Sequence, residues 1–336
     1  MKYHNDIVHK IILLAFLVVK HHYFKSNSTK NKIVLYLTKE RFLHVPSFFI
    51  MSFYFTSANF LSLNRKIVLN RLEKLLIPYI GWAFIILIIN YIFNKVYNKR
   101  LPDTLFDLKL QLIWGCRYIP QLWFQNALIV MTLVFFLIIF ILRKHFLFIF
   151  QILLISSYIS QYSRYIYKNI FLKYPQYNNK TISYFFVSIP YAITGFTLGF
   201  YKIIEYFHKH KMKTLIISVI IYNSINKYQI FRNIQFLAYQ GINLNIQCIC
   251  IISIFSLFSS DNIKNKFLIK LINIITNYTA GVFYLYIPIK RYFVYHFDSI
   301  KYGTIYGCII IYLICYVICF FGMLIFRKNK IKYLFC

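Results

Sequence analysis

Charge is scarce in this sequence and acid scarcer still: 14% of the 336 residues are charged, and 8 Asp and Glu stand against 39 Lys and Arg. With 60% hydrophobic residues, the chain falls outside the composition of soluble globular domains, where about a quarter of the residues are charged. Metal-binding and redox spacings are lacking as well. Cys248 and Cys250 are parted by one residue, and Cys308, Cys315 and Cys319 lie within an apolar block, so the cysteines read as small packing residues. No gap between apolar blocks exceeds about 30 residues, which leaves no room for a separate soluble catalytic domain. A signal-peptide cleavage site is also missing. The first apolar block ends in Lys20-His21-His22 instead of small residues, and reads as a retained membrane anchor.

What the sequence has in abundance is long apolar blocks. A membrane-spanning helix needs about 20 mostly apolar residues to cross roughly 30 Å of hydrocarbon. Ten spans are expected, with cores near 11–24, 45–60, 75–93, 122–142, 146–160, 184–201, 214–225, 242–258, 274–289 and 306–326. The expected fold is all-α, a polytopic transmembrane bundle of about ten spans forming a single domain over residues 1–336. The seventh span is short and flanked by Lys213 and Lys227, which suits a re-entrant or tilted segment. Gly195-x-x-x-Gly199 reads as a helix-packing face. Trp82, Tyr91, Trp114 and Trp123 stand at block edges, where aromatic rings anchor helices at the membrane interface.

A formal charge of +31 suggests nucleic acid in a soluble protein, but its placement excludes that partner. The basic residues cluster in short gaps, as at Arg143-Lys144 and Lys209 to Lys213, where they meet anionic headgroups. The excess of Asn, Lys, Ile, Tyr and Phe also fits an AT-rich coding sequence, which would make part of the charge compositional. Ten spans put both termini on one side, and the loops then carry 19 Lys and Arg on each side, with Lys20 inside the first span. Loop charge therefore does not orient the chain.

Two polar clusters stand out against this apolar ground. The apolar run 11–19 covers only about 14 Å before it meets Lys20-His21-His22. A helix that continues through the triplet places an ionisable group near mid-membrane, which marks a functional site; one that stops lets the three side chains snorkel to an interface. Lys10 and His21 are 11 residues apart, about 20° beyond three full turns, and share one helix face at roughly 16 Å separation. They suit two ends of an extended ligand, with His21 as a proton acceptor near neutral pH. The second cluster precedes the third span. Arg71 and Lys74 are i,i+3 neighbours placed to clamp phosphate or another anion, or to anchor the helix at the headgroups. Pro78 follows as a helix kink.

Four stretches, taken in order, give the chain a resemblance to the integral-membrane acyltransferase-3 family, which includes polysaccharide and O-antigen O-acetyltransferases and fucose 4-O-acetylase-like proteins. They are Asp6-Ile-Val-His-Lys10-x10-His21, then Pro46-Ser-Phe-Phe-Ile-Met-Ser52-Phe-Tyr54, then Arg71-Leu-Glu-Lys74-Leu-Leu-Ile-Pro78-Tyr79, and Leu122-Trp123-Phe124. The departures are Lys10 and Lys74 where many members have Arg, Phe53 in place of a Gly, and Tyr286 where the ninth-span motif has His. Lysine keeps the charge but loses bidentate geometry, and Tyr can still donate a hydrogen bond.

The resemblance implies transfer of an acetyl group from acetyl-CoA, as donor substrate, to a hydroxyl of a surface glycan or lipid-linked sugar. It implies His21 as the catalytic residue, Lys10, Arg71 and Lys74 holding the CoA phosphates without a metal, and Ser52, Trp123 and Tyr286 as supporting residues. It also implies an inner-membrane protein with cytoplasmic termini. The rival expectation is a glycan flippase or polymerase-like protein without acyl-transfer chemistry, which calls for basic residues in several spans; Lys20 to His22 are the strong case here. A third is an inactive member of the same family, which the departures at Lys10, Phe53 and Tyr286 would allow.

Overall fold

The computed structural model describes residues 43–96, 122–170, 180–231, 241–257, 278–296, 305–326 and 330–334. Ten α-helices follow in chain order: α1 (His44–Leu61), α2 (Arg65–Val96), α3 (Leu122–Leu142), α4 (Phe146–Ile170), α5 (Lys180–Phe200), α6 (Ile203–Lys209), α7 (Lys211–Phe231), α8 (Ile242–Leu257), α9 (Thr279–His296) and α10 (Ile305–Ile325). Two 3-10 turns, Arg143–His145 and Lys330–Leu334, complete the described elements, and no strand occurs among them. The all-α expectation holds. The first expected span, 11–24, with Lys10 and His21, lies outside the described residues, as does Trp114.

Each described apolar block falls within a helix. The basic cluster before the third span is itself helical, so α2 starts ten residues ahead of the expected core, capped by Asn64, whose Oδ1 accepts the Lys66 and Ile67 backbone N–H groups at 3.1 and 3.4 Å. The short seventh block belongs to a helix of 21 residues, Lys211–Phe231, extended by polar residues at both ends. Among the described residues one stretch, Leu122–Tyr162, is long and apolar enough to cross a membrane; Val45–Leu61, Val187–Phe200, Ile242–Ile254 and Ile309–Ile325 are shorter apolar helices.

The helices carry large apolar side chains on their surface as well as in their core. Leu137, Ile141, Phe148, Ile155, Ile159, Leu313 and Ile325 are exposed, while Gln125, Thr132, Gln161, Asn245, Gln247 and Ser253 are buried. In water such a surface would be strongly unfavourable; against hydrocarbon it is the stable arrangement, because polar side chains find partners only inside. Cys248, Cys250, Cys315 and Cys319 are buried, the packing role expected of them.

By internal packing the chain divides into two compact units. The first takes in the described residues of Phe42–Asn70 and Ala127–Lys264, the second those of Arg71–Asn126 and Asn265–Cys336. In the first unit α1 lies along α5. A Cβ on Gly195 would collide with the Ile50 carbonyl, and one on Gly199 with the Tyr54 carbonyl and Ser57. The two glycines are therefore the packing face that their spacing predicts. Contacts of residue 195 with 50 and of 199 with 54 and 57 mean that α1 and α5 run parallel.

Beside that seam sits a knot of rings from α1, α3, α4 and α5: Phe135 lies 4.5 Å from Phe150 and 4.9 Å from Phe53, and Phe150 meets Phe196 edge-on at 5.2 Å. Phe53 thus fills the core at the position where the resembled motif has glycine. Three tight turns in this unit carry a residue with positive φ: Leu63, Arg143 and Lys202.

A buried amide network crosses the same unit. Asn245 Nδ2 donates to Tyr158 Oη at 2.6 Å and to Thr194 Oγ1 at 2.8 Å, tying α8 to α4 and α5. Gln161 Oε1 accepts the Gly241 N–H at 3.0 Å, at the start of α8. Gly241 has φ of 106°, a conformation that favours glycine. Such interhelical bonds are worth about 0.6 kcal/mol on average in membrane proteins, up to about 1.7.

Candidate functional site

Four of the expected site residues, Arg71, Lys74, Trp123 and Tyr286, belong to the second unit, and Ser52 belongs to the first. Along α2, residues 71, 75, 79 and 82 follow i,i+4 and i,i+3 steps and so form one stripe. Arg71 and Leu75 are half-buried, and Tyr79 and Trp82 fully buried. The sequence thus turns a guanidinium inward at one end of a stripe that becomes wholly apolar and aromatic. Arg71 lies ahead of the apolar span 75–93. Burial alone lowers its pKa from the ordinary arginine value to about 10. Desolvation favours the neutral form of the guanidinium.

Lys74 stands 60° round the helix from Arg71 and is exposed. The two cations therefore differ in burial: Arg71 is the inner and Lys74 the outer. Lys74 Nζ lies 6.0 Å from the centre of the Tyr333 ring, a cation–π contact with the Lys330–Leu334 turn. That turn runs along α2. Lys330 pairs with Glu73, and Trp82 Nε1 donates to the Leu334 carbonyl at 2.8 Å. A Cβ on Gly81 would meet the Leu334 side chain, so glycine here lets the turn lie close. Lys330 is exposed, and the hydrogen bond and charge of Glu73 raise its pKa. With the folded pKa raised, the pair contributes below the ordinary lysine range and is lost as pH rises through the higher value.

The aromatic expectations need correction. Trp82 and Trp123 are buried, not interfacial. Trp82 stacks on Tyr284 of α9 at 5.8 Å and 18°, so its indole is a packing element with one satisfied N–H. Tyr91 is exposed, as an anchor should be. Trp123 meets Phe124 edge-on, and Phe124 in turn contacts Phe283. Tyr286 is fully buried, with its ring tilted against Phe283 at 6.4 Å. In the first unit Ser52 is half-buried, and its backbone carbonyl accepts the Thr56 hydroxyl at 2.8 Å.

One buried polar side chain in this unit has no counterpart among the expected site residues. Gln125, in the first turn of α3, donates through Nε2 to the Leu75 carbonyl at 2.6 Å. Its signal in the sequence is the amide pair Gln125-Asn126 in a long apolar block, immediately after Leu122-Trp123-Phe124. Nothing in the spacing signals Lys330 and Tyr333. Among the described residues no group of three or more His, Cys, Asp or Glu is placed to hold a metal ion.

A half-buried arginine with an exposed lysine one turn on, at the head of a buried stripe, can hold an extended anion by its charged end. The sequence profile of the acyltransferase-3 family, an acyltransferase domain, matches residues 12–333. The chain belongs to the acyltransferase-3 family. No curated protein and no solved structure matched it. The match covers α1 to α10 and most of the turn that clasps α2. Membership of the acyltransferase-3 family supports membrane acyltransferase activity, in keeping with the apolar helices and their exposed apolar side chains.

Proposed function

We propose that this acyltransferase-3 member is a membrane-embedded O-acetyltransferase that moves an acetyl group from acetyl-CoA to a hydroxyl of a surface glycan or lipid-linked sugar. The observation that carries the reading is Arg71: a guanidinium on the inward stripe of α2, desolvated yet charged at neutral pH, with Lys74 beside it. The charged end of a CoA molecule suits this pair, with Arg71 giving paired donors and Lys74 a point charge.

In the proposed reaction the acceptor oxygen attacks the thioester carbonyl. The C–O bond forms as the C–S bond breaks. His21 takes the hydroxyl proton and returns it to the departing CoA thiolate, so protons balance and no metal is required. Lys10 adds a third cation for the donor, and Ser52, Trp123 and Tyr286 support the site. The proposed setting is a bundle of about ten spans in the inner membrane, with cytoplasmic termini, so that donor enters from the cytoplasm.

The test is His21→Ala expressed at normal level in cells whose surface glycan is analysed by mass spectrometry. Loss of the glycan acetyl with protein retained supports the reading, and unchanged acetylation ends it. His22→Ala should matter less, because it falls about 100° off the Lys10 face. Movement of lipid-linked sugar across the membrane without acetyl transfer would place the chain with flippases instead.

A further inference from the structure

Gln125 is 3% exposed, and only half of its amide is used. A backbone carbonyl can only accept, so the contact with Leu75 fixes Nε2 as the donor and leaves Oε1 as the other end. Oε1 is buried and has no hydrogen-bond partner among the described residues. The amide is not explained by stability. A buried acceptor without a partner costs more than a hydrogen bond such as that to Leu75 returns. Leucine would fill the place without that deficit.

The position of this open acceptor is informative. Leu75 is one turn below Arg71 on the same face, about 6 Å away, and directly follows Lys74. Pro78 stands four residues after Lys74 and has no N–H to offer the Lys74 carbonyl. Arg71, with Lys74 beside it, is thus followed deeper along α2 by a place that offers acceptors. A ligand that fits carries negative charge at one end and, a turn further in, an N–H or O–H donor on an otherwise uncharged arm.

We propose that Gln125 binds the donor's uncharged arm, its Oε1 accepting an amide N–H of the pantetheine portion while Arg71 and Lys74 hold the phosphates. This rests on the acetyl-CoA reading above and extends it from the charged end of the donor to the arm that leads to the thioester. Gln125 is then a binding residue that sets how far the donor reaches into the protein, because its own position is pinned by the Leu75 carbonyl.

The experiment uses the purified full chain in lipid nanodiscs and two donors, acetyl-CoA and S-acetyl-pantetheine, which keeps the amides but lacks the phosphates on the nucleotide side. Gln125→Leu is expected to raise KM about tenfold for both donors, with kcat and the acceptor KM little changed, since tenfold corresponds to about 1.4 kcal/mol. Arg71→Ala is expected to raise KM for acetyl-CoA only. Gln125→Met provides a second variant, and thermal melting in the nanodisc checks that each is folded.

The proposal is overturned if Gln125→Leu leaves both donor KM values unchanged, affects acetyl-CoA alone, or shifts only the acceptor KM, which would assign the amide to the sugar hydroxyl. Failure of both variants to fold overturns it too, because Gln125 would then be a structural residue. If the unaltered protein moves acetyl from neither donor, the acetyl-CoA reading itself fails, a result distinct from all of these.

Discussion

The first unit packs around phenylalanine rings and a glycine pair, the second around Trp82 and the turn that clasps α2, and the buried amides of the two units behave differently. In the first unit Asn245 bonds two hydroxyls and Gln161 bonds the start of α8. The open atoms of these two amides are of opposite kind, a donor on Gln161 and an acceptor on Asn245. In the second unit the open atom of Gln125 is an acceptor, and its amide is held by the carbonyl of Leu75, one turn along α2 from Arg71. Amides that tie three helices together serve assembly. The acceptor on Gln125 is the one we assign to a ligand.

That contrast is broken first at the packing seam. Gly195→Leu places a side chain where the Ile50 carbonyl already lies, and backbone cannot move aside as a flexible side chain can. Overpacking of this kind costs about 3 kcal/mol, and more when backbone is met. The expected outcome is loss of folded protein from the membrane fraction, read by detergent size-exclusion of a fluorescent fusion. A normal monodisperse peak would show that α1 and α5 do not depend on this contact.

The next effect, in the second unit, should spare folding. Arg71→Ala removes one half-buried side chain at the start of the stripe, and the protein should still be found folded in the membrane fraction. CoA affinity should fall about tenfold or more, as expected for a charge-assisted donor. Lys74→Ala should weaken binding only about two- to threefold, because an exposed charge is screened. Equal losses from the two would contradict the inner and outer assignment drawn from their burial.

Much of this architecture was legible in the residues. The apolar blocks, the glycine pair and the packing cysteines each announce themselves by a local rule, such as block length or the small-xxx-small step, and those rules act within one helix or one helix pair. Arg71 and Lys74 were visible as a pair because charge ahead of a span is conspicuous. Their difference in burial is not, since it depends on which face of α2 turns inward, and Trp82 fixes that face through Tyr284 of α9 and the Lys330–Leu334 turn. Trp82 and Trp123 are ambiguous for the same reason: an aromatic at a block edge fits either a headgroup or a buried neighbour. Gln125 is inconspicuous because the pair Gln125-Asn126 does not interrupt a long apolar block. Its meaning comes from Leu75, 50 residues earlier in the chain. Lys10 and His21 lie outside the described residues, so their part in the site rests on the sequence.

A smaller effect separates the amides. Asn245→Leu removes bonds to Tyr158 and Thr194 and should lower stability by about 1 kcal/mol, near the mean to upper range for interhelical bonds in membranes. Donor KM should be unaffected, in contrast to Gln125→Leu. A rise in KM with Asn245→Leu would mean that the first unit's network also takes part in binding the donor, and the division drawn between the two kinds of amide would fall.

The smallest differences lie within the Lys330–Leu334 turn, where two contacts on the same few residues should prove unequal. Trp82→Phe keeps an aromatic ring against Tyr284 but removes the donor to the Leu334 carbonyl, leaving that acceptor without the indole N–H. A loss of about 1 kcal/mol in stability is expected, together with faster proteolysis of the turn. Lys330→Ala removes an ion pair whose lysine is exposed to solvent, where screening and side-chain entropy offset the attraction. Its melting temperature at neutral pH should match that of the unaltered protein. Since the raised Lys330 pKa means the pair is intact at neutral pH and lost only under alkaline conditions, neutral pH is where any contribution would be seen. A destabilisation by Lys330→Ala as large as that by Trp82→Phe would show that charge, and not the indole hydrogen bond, clasps the turn to α2.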